Sequence, residues 1–253
     1  MTGLSARRSS ASEALAVPAG GELHLWLCRR ETATGGSGQF LREVLSRYAG
    51  VIPAQLRFSR GPQGKPALAA PAMPLDFNLS DSGDWLALVV SDGAGVGVDI
   101  EYCDPDRDVL KLARRCFSAA ELADLQACSP AQRMGRFYDY WTLKEAHIKA
   151  AGGSLGRELE STAFALQYPG VPAGSTAIGR IAPLGPAPLR PAWYCLLQPF
   201  VDYRLALCCV APEGSRPDLR VLELDRGAVA IDPQLVLRAV SSFPQCIPEA
   251  ACL

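Results

Sequence analysis

The chain has 253 residues, of which 49% are hydrophobic and 20% are charged, and its formal net charge is −1. This length suits one large domain or two small ones, and the near-neutral charge gives no reason to expect nucleic acid or a membrane surface as a partner. The longest apolar runs, such as WLALVV at 85–90, are far shorter than the roughly 20 residues that a membrane-spanning helix needs.

The first part of the chain changes from strand to helix and back to strands. Residues 1–20 contain no continuous apolar segment, so they predict a mobile tail and no secretory signal. The elements predicted after it are a strand at 22–28, a helix at 39–50, a short strand at 54–60, a Gly- and Pro-rich turn at 61–68, and paired strands over 75–83 and 84–91.

The second part repeats this order at a similar size. Its predicted elements are a strand within 93–102, helices at about 106–116, 118–127 and 131–151, strands near 161–168, 192–200 and 203–211, an irregular connection at 169–191, and one more strand and a helix around 232–240. We therefore expect an α+β protein of two similar halves, 21–95 and 96–213, with a C-terminal extension at 214–253. A cleft between such halves is a common ligand site.

The cysteines and histidines narrow the chemistry. Nine cysteines without a C-x-x-C pair predict reduced, buried thiols in a cytoplasmic protein and neither a zinc site nor a disulfide scaffold. The two histidines, His24 and His147, are too few for a histidine-rich metal site.

The segment GVGVDIE alternates small or acidic residues with apolar ones, as a strand with one buried face does. On such a strand Asp99 and Glu101 emerge on the same face about 7 Å apart. Paired carboxylates of this kind either hold a hard cation such as Mg²⁺ or lie solvated on a polar edge strand. The spacing alone leaves both interpretations open.

Two further segments carry charged or polar groups. In the aromatic-rich helix FYDYWTLKEAHIKA, Glu145 and Lys149 are four residues apart, which fits either a surface ion pair or a carboxylate and an ammonium aimed at a site. In the first half, Lys65 in a Gly-Pro turn and Ser80 after a strand could hold a phosphate or belong to a solvated turn and hairpin.

Taken together and in this order, these motifs resemble the Sfp-type 4′-phosphopantetheinyl transferases. The resemblance runs from about Gly38 to Tyr168 and is carried by RFSRGPQGKPAL, FNLSDSGDWLALVV, VGVDIE, RCFSAAEL and WTLKEAHIKA. It implies a pseudo-twofold α+β fold with the active site between the halves. It also implies the transfer of phosphopantetheine from coenzyme A to a serine of an apo acyl or peptidyl carrier protein, with release of 3′,5′-ADP.

The residues that the resemblance assigns to this reaction fall into three groups. The Mg²⁺ ligands are Asp99, Glu101 and Glu145. The catalytic groups are Glu145, Lys149 and, in a supporting role, Glu121. The residues at the coenzyme A site are Lys65, Pro66, Ser80, Asp81 and Lys149.

The chain departs from the family pattern in its first half. Asp81 stands where the family usually has a histidine that can donate to the 3′-phosphate of coenzyme A, and an ionised aspartate would repel that phosphate. We expect Asp81 to turn away, to pair with an arginine, or to weaken coenzyme A binding. The basic stretch before the first helix is also short, and Arg29 and Arg30 are candidates to replace its phosphate contacts.

The sequence is compatible with three functions. The first is an active, Mg²⁺-dependent, monomeric transferase; the second is a degenerate, non-catalytic module that binds carrier protein or coenzyme A; the third is a different Mg²⁺-dependent phosphotransferase or hydrolase. The pathway served, whether fatty-acid, polyketide or nonribosomal-peptide, is not encoded, although the two-half form resembles enzymes of secondary metabolism. The basic segment KLARRCF at 111–117 is a candidate docking surface for an acidic carrier protein or an ordinary solvated helix.

Overall fold

The computed structural model describes residues 15–61, 63–153, 159, 161–168, 179–184, 191–210, 216–225, 228–230 and 236–241. The helices are α1 (Gly36–Ala49), α2 (Val109–Cys116), α3 (Ala119–Ala127) and α4 (Pro130–Ala151). The strands of the first part are β1 (Glu22–Arg29), β2 (Arg57–Arg60), β3 (Pro66–Ala70), β4 (Asp76–Ser82), β5 (Trp85–Ser91) and β6 (Val96–Tyr102). The later strands are β7 (Ala163–Gln167), β8 (Gly179–Leu184), β9 (Ala192–Gln198), β10 (Tyr203–Val210), β11 (Asp218–Asp225), β12 (Ala228–Ala230) and β13 (Val236–Ser241).

These strands form two large sheets and a separate hairpin. The first sheet has the order β12-β11-β1-β5-β4, and the second has the order β6-β10-β9-β13-β8-β7. Within the described part of the chain, β2 pairs with β3 and with no other strand. No helix among the described residues is long and apolar enough to cross a membrane. The predicted α+β fold class is confirmed.

The core is arranged in layers because the strands of the sheets bury both faces. On β5, Trp85 and Val89 face the second sheet, whereas Leu86 and Val90 face α1. All seven residues of β5 are buried, which explains why its apolar run is continuous and does not alternate. The other face of the second sheet packs against α2, α3 and α4.

The two sheets meet where β4, the edge strand of the first, lies beside β6, the edge strand of the second. Side chains at every second position of β4 accept hydrogen bonds from backbone N–H groups of β6. The four contacts are Val96 to Asp76 (2.9 Å), Val98 to Asn78 (3.0 Å), Ile100 to Ser80 (3.4 Å) and Tyr102 to Ser82 (3.1 Å). We call this the β4–β6 ladder. It satisfies donors on the edge of β6 that would otherwise be unpaired.

Several sequence-based boundaries differ from the structure. The helix predicted around 232–240 is wrong over its described part, because β13 is a strand there, held between β9 and β8. The predicted irregular connection contains β8, which pairs with β7, and the predicted turn at 61–68 runs into β3. In each case pairing with another strand overrides the local preference of a Pro- and Gly-rich or helix-compatible sequence.

The described strands after residue 214 belong to the two large sheets. β11 lies parallel to β1 in the first sheet and β12 extends that sheet, whereas β13 joins the second sheet. The separate extension predicted at 214–253 therefore contributes strands to both sheets. The predicted tail at 1–20 lies outside the described residues up to position 14.

Candidate active site

The site forms where α4 crosses β6. Alternation on β6 sends Val96, Val98 and Ile100 into the core between the sheets, so that Gly97 lies on the opposite face, towards α4. A Cβ atom at Gly97 would lie 2.0 Å from the backbone oxygen of Ala146. Only glycine permits this approach, which brings the C-terminal half of α4 over the acidic residues of β6.

Asp99 is the most enclosed acid of the site, with 3% of its surface exposed. Its Oδ1 atom accepts hydrogen bonds from Lys149 Nζ at 2.6 Å and from Ser80 Oγ at 2.8 Å. Its Oδ2 atom is buried and has no hydrogen-bond partner among the described residues. Burial raises the pKa of Asp99, and Lys149 opposes that rise. A solvated polar edge strand is therefore excluded for this position.

Glu101 and Glu145 complete an acidic cluster with Asp99. Glu101 accepts a hydrogen bond from Ser82 Oγ at 2.7 Å, and burial together with the charge of Asp99 raises its pKa. Glu145 is 7% exposed, and burial, with the charges of Asp99 and Glu101, raises its pKa to about 7. Burial raises the pKa of all three carboxylates, and the charge of Asp99 raises the pKa of Glu101 and Glu145 further. A cation bound between such acids relieves this repulsion.

Lys149 supplies the positive charge of the site. Besides Asp99, its ammonium donates to the Val98 carbonyl at 3.3 Å and to Ser80 Oγ at 3.2 Å. Its side chain is 23% exposed. Glu145 and Lys149 are thus not an ordinary ion pair on the surface of α4. Glu145 is buried, and Lys149 forms its ion pair with Asp99 of β6.

The donor set fits a hard divalent cation. All candidate ligand atoms are carboxylate oxygens, which Mg²⁺ prefers, and the unpartnered Oδ2 of Asp99 is a buried acceptor without a donor. Among the described residues, no group of three or more His, Cys, Asp or Glu side chains has the spacing of a preformed metal site. The fit therefore rests on the chemistry of the ligand atoms and not on their spacing. In this arrangement Lys149 supplies the charge that partly neutralises Asp99.

Glu121, expected in a supporting catalytic role, lies in the core of the second part of the chain. Its side chain is fully buried, and its oxygens accept from Lys144 Nζ at 2.6 Å, from the Ser118 backbone N–H at 2.8 Å and from the Phe164 N–H at 3.0 Å. With Ser118 it also forms the capping box of α3. Glu121 therefore joins α3, α4 and β7 and does not face the acidic cluster.

The residues predicted at the coenzyme A site separate along β4. Lys65 forms an ion pair with Asp76 at 2.6 Å and donates to the Val96 carbonyl at 3.0 Å, and the half-buried Pro66 opens β3. Asp76 and Asp81 are five residues apart on one strand, or about 17 Å. The structure thus brings Ser80 to the acidic cluster and places Lys65 at the other end of the β4–β6 ladder.

Asp81 pairs with an arginine, one of the three outcomes considered above. Arg30 Nη2 lies 2.5 Å from Asp81 Oδ2, and Arg30 Nε donates to the Gly83 carbonyl at 2.8 Å. The guanidinium of Arg29 instead lies 4.7 Å from the centroid of the Trp85 ring. The negative charge of Asp81 is therefore compensated by a residue of the shortened basic segment.

Sequence reasoning missed the β4 side chains that contact β6, namely Asp76, Asn78 and Ser82. The signal was present in DFNLSDS, where polar residues recur at every second position of a predicted strand. Such a pattern ordinarily indicates a solvated face, and the local sequence does not show that a second strand edge lies against it.

Comparison with known proteins gives matches to one enzyme family. A family model described as the 4′-phosphopantetheinyl transferase superfamily matches residues 95–208. A 4′-phosphopantetheinyl transferase of Bacillus subtilis is 33% identical over 68% of this chain and 71% of the relative. The transferase HetI of a Nostoc species is 34% identical over 74% of each chain.

The chain belongs to the 4′-phosphopantetheinyl transferase superfamily. The transferase AcpT of Salmonella typhimurium is 45% identical over 45% of this chain, but the match spans only 57% of AcpT. The predicted family and enzyme class are confirmed. The relatives give no support to the alternative of a non-catalytic binding module.

Proposed function

We propose that this 4′-phosphopantetheinyl transferase moves the phosphopantetheine group of coenzyme A to a serine of an apo acyl or peptidyl carrier protein. The bond between that serine oxygen and the β-phosphorus of coenzyme A forms, the bond from this phosphorus to the leaving 3′,5′-ADP breaks, and the serine proton is removed. The observation that carries the proposal is the cluster of the buried Asp99 and Glu145 and the half-buried Glu101, with Lys149 paired to Asp99.

Glu145 is the base in this proposal. Its pKa is raised to about 7, so near neutral pH it can accept a proton and still be ionised in a substantial fraction of molecules. Lys149 is the fixed positive charge for the transferred phosphate. Its ammonium is held by three oxygen acceptors and its partly exposed side chain can reach a ligand in the cleft.

Mg²⁺ is proposed as the metal of the site, with Asp99, Glu101 and Glu145 as the residues that would hold it. When bound, it would neutralise the diphosphate charge of coenzyme A. The all-oxygen donor set and the unpartnered Asp99 Oδ2 support this assignment. Ser80, which is expected at the coenzyme A site, contacts Asp99 of the acidic cluster. Arg30 is the candidate to bind the 3′-phosphate of coenzyme A, because its charge offsets that of Asp81.

The carrier protein is proposed to dock on the second half. Lys111, Arg114 and Arg115 are exposed cations on the short helix α2, and carrier proteins are acidic. We further propose a monomer, because one chain supplies both sides of the site, and a cytoplasmic location, because the seven cysteines described are free thiols.

The direct test is a mass measurement on a carrier protein. Apo carrier protein is incubated with the chain, Mg²⁺ and coenzyme A, and its mass should rise by one phosphopantetheine group. Glu145→Gln and Lys149→Met should abolish the gain, whereas Asp218→Asn, at an exposed acid of β11, should not. No gain by the wild-type chain at high coenzyme A, with several carrier proteins, would refute the proposed function.

A further inference from the structure

The four β4 side chains of the β4–β6 ladder, which we call its rungs, are Asp76, Asn78, Ser80 and Ser82. They differ in what they contact besides the backbone of β6. Asn78 accepts from Val98 N–H through its Oδ1 atom. Ser80 and Ser82 each accept from a backbone N–H and also donate to the carboxylate of the preceding β6 residue, Asp99 or Glu101. Two rungs therefore connect the junction of the sheets to the acids of the site.

The hydrogen bonds of the Ser82 hydroxyl fix the orientation of the Glu101 carboxylate. A serine hydroxyl has one proton and two lone pairs. The Tyr102 N–H, at 3.1 Å, takes one lone pair, and the proton then points to Glu101 Oε2 at 2.7 Å. One oxygen of Glu101 is thereby held, and the rotation of a side chain with three torsions is restricted.

Ser82 shows this effect more cleanly than Ser80. Ser80 Oγ also accepts from Lys149 Nζ at 3.2 Å, so its removal would disturb the ammonium as well as the carboxylate. Ser82 donates to a single acid and lies at the half-buried end of β4.

We propose that Ser82 is a positioning residue of the transfer reaction: it holds the Glu101 carboxylate in the orientation in which that acid binds the divalent cation. The proposal rests on the proposed function, since it assigns Glu101 to a cation. It differs from a purely structural role for Ser82, in which the hydroxyl only joins β4 to β6.

Asn78 is the matched control, because it is a rung of the same ladder without a contact to an acid. Ser82→Ala and Asn78→Ala both remove one side-chain acceptor for β6, so both should lower the melting temperature. Only Ser82→Ala should weaken cation binding. Ser82→Thr keeps the hydroxyl, and threonine is well suited to a strand, so this variant should bind the cation like the wild type.

The experiment measures Mn²⁺ binding, as a spectroscopic substitute for Mg²⁺, by electron paramagnetic resonance on the full chain without coenzyme A or carrier protein. Ser82→Ala should weaken binding about tenfold, the size typical of losing a partner that orients a metal ligand. Ser82→Thr should lie near wild type, and Asn78→Ala should bind Mn²⁺ like wild type despite its lower melting temperature.

Three outcomes would overturn the proposal. The first is wild-type Mn²⁺ affinity in Ser82→Ala. The second is no Mn²⁺ binding by the wild-type chain. The third is an equal loss of affinity in Asn78→Ala, which would assign the effect to the rigidity of the junction. The carrier-protein mass gain tests the proposed function separately. If the wild-type chain transfers phosphopantetheine and binds Mn²⁺, but Ser82→Ala binds Mn²⁺ equally well, the role of Ser82 alone is refuted.

Discussion

Glu145→Gln should make the metal-free protein more stable while abolishing transfer. The Glu145 side chain is 7% exposed and its pKa is raised from 4.5 to about 7, by burial first and then by the charges of Asp99 and Glu101. Folding therefore disfavours the charged form of this side chain. Glutamine has nearly the same shape and carries no charge, so the variant avoids this cost.

The magnitude follows from the pKa. A change from 4.5 to about 7 corresponds to roughly 3 kcal/mol of unfolding free energy above pH 7, at about 1.4 kcal/mol per unit. The pKa of about 7 already includes the attraction of Lys149, so this figure is the upper bound, and we expect a net gain of about 1–3 kcal/mol. In a chain of this size, that gain raises the melting temperature by about 3–9 °C.

The pH dependence has a definite sign. Below pH 4.5 Glu145 is protonated in both the folded and the unfolded chain, so the variant has no advantage. Between pH 4.5 and 7 the unfolded chain releases the proton first, so wild-type stability falls as the pH rises and the advantage of the variant grows. Above pH 7 the advantage reaches its plateau.

The assay is thermal unfolding of both proteins in chelator from pH 5 to 8, repeated with saturating Mg²⁺. Magnesium should stabilise the wild type more than the variant, which narrows the gap at pH 8. Equal melting temperatures at pH 8 in chelator, or a gap that does not change with pH, would show that Glu145 is not a destabilised buried acid.

Three other predictions test the candidate site. Asp99→Asn should lower turnover at least about 100-fold while shifting the melting temperature by only a few degrees, since the amide oxygen can still accept from Ser80; near-normal turnover would refute the assignment of Asp99 to the site. Gly97→Ala should cost about 3 kcal/mol or more in urea unfolding, because the new Cβ would overlap the backbone of α4, whereas Gly95→Ala, with 3.3 Å to the nearest atom, should cost clearly less; equal costs would argue against this close approach. Asp81→His should lower the KM for coenzyme A and Arg30→Ala should raise it several-fold, with little effect on stability because the pair is exposed; unchanged KM values would place the 3′-phosphate elsewhere.

The elements that carry the candidate active site could be predicted from the sequence because their signals are local. The alternation in GVGVDIE determines that Asp99 and Glu101 share one face of a strand, and helical periodicity places Glu145 and Lys149 one turn apart. What each acid contacts could not be predicted in this way. Glu121 has the residue type and helix position expected of a site residue, yet Lys144 and Phe164 hold it in the core.

The sequence by itself therefore determined the α+β class, the family, and the positions of four charged side chains on one strand and one helix. Only the tertiary structure decided that β4 lies against the edge of β6, that Arg30 compensates Asp81, and that residues beyond 214 complete both sheets. The physical reason is the difference in sequence separation between local and tertiary interactions. Strand and helix periods act over a few residues, whereas the β4–β6 ladder joins residues 20 positions apart and β11 pairs with β1 from the far end of the chain.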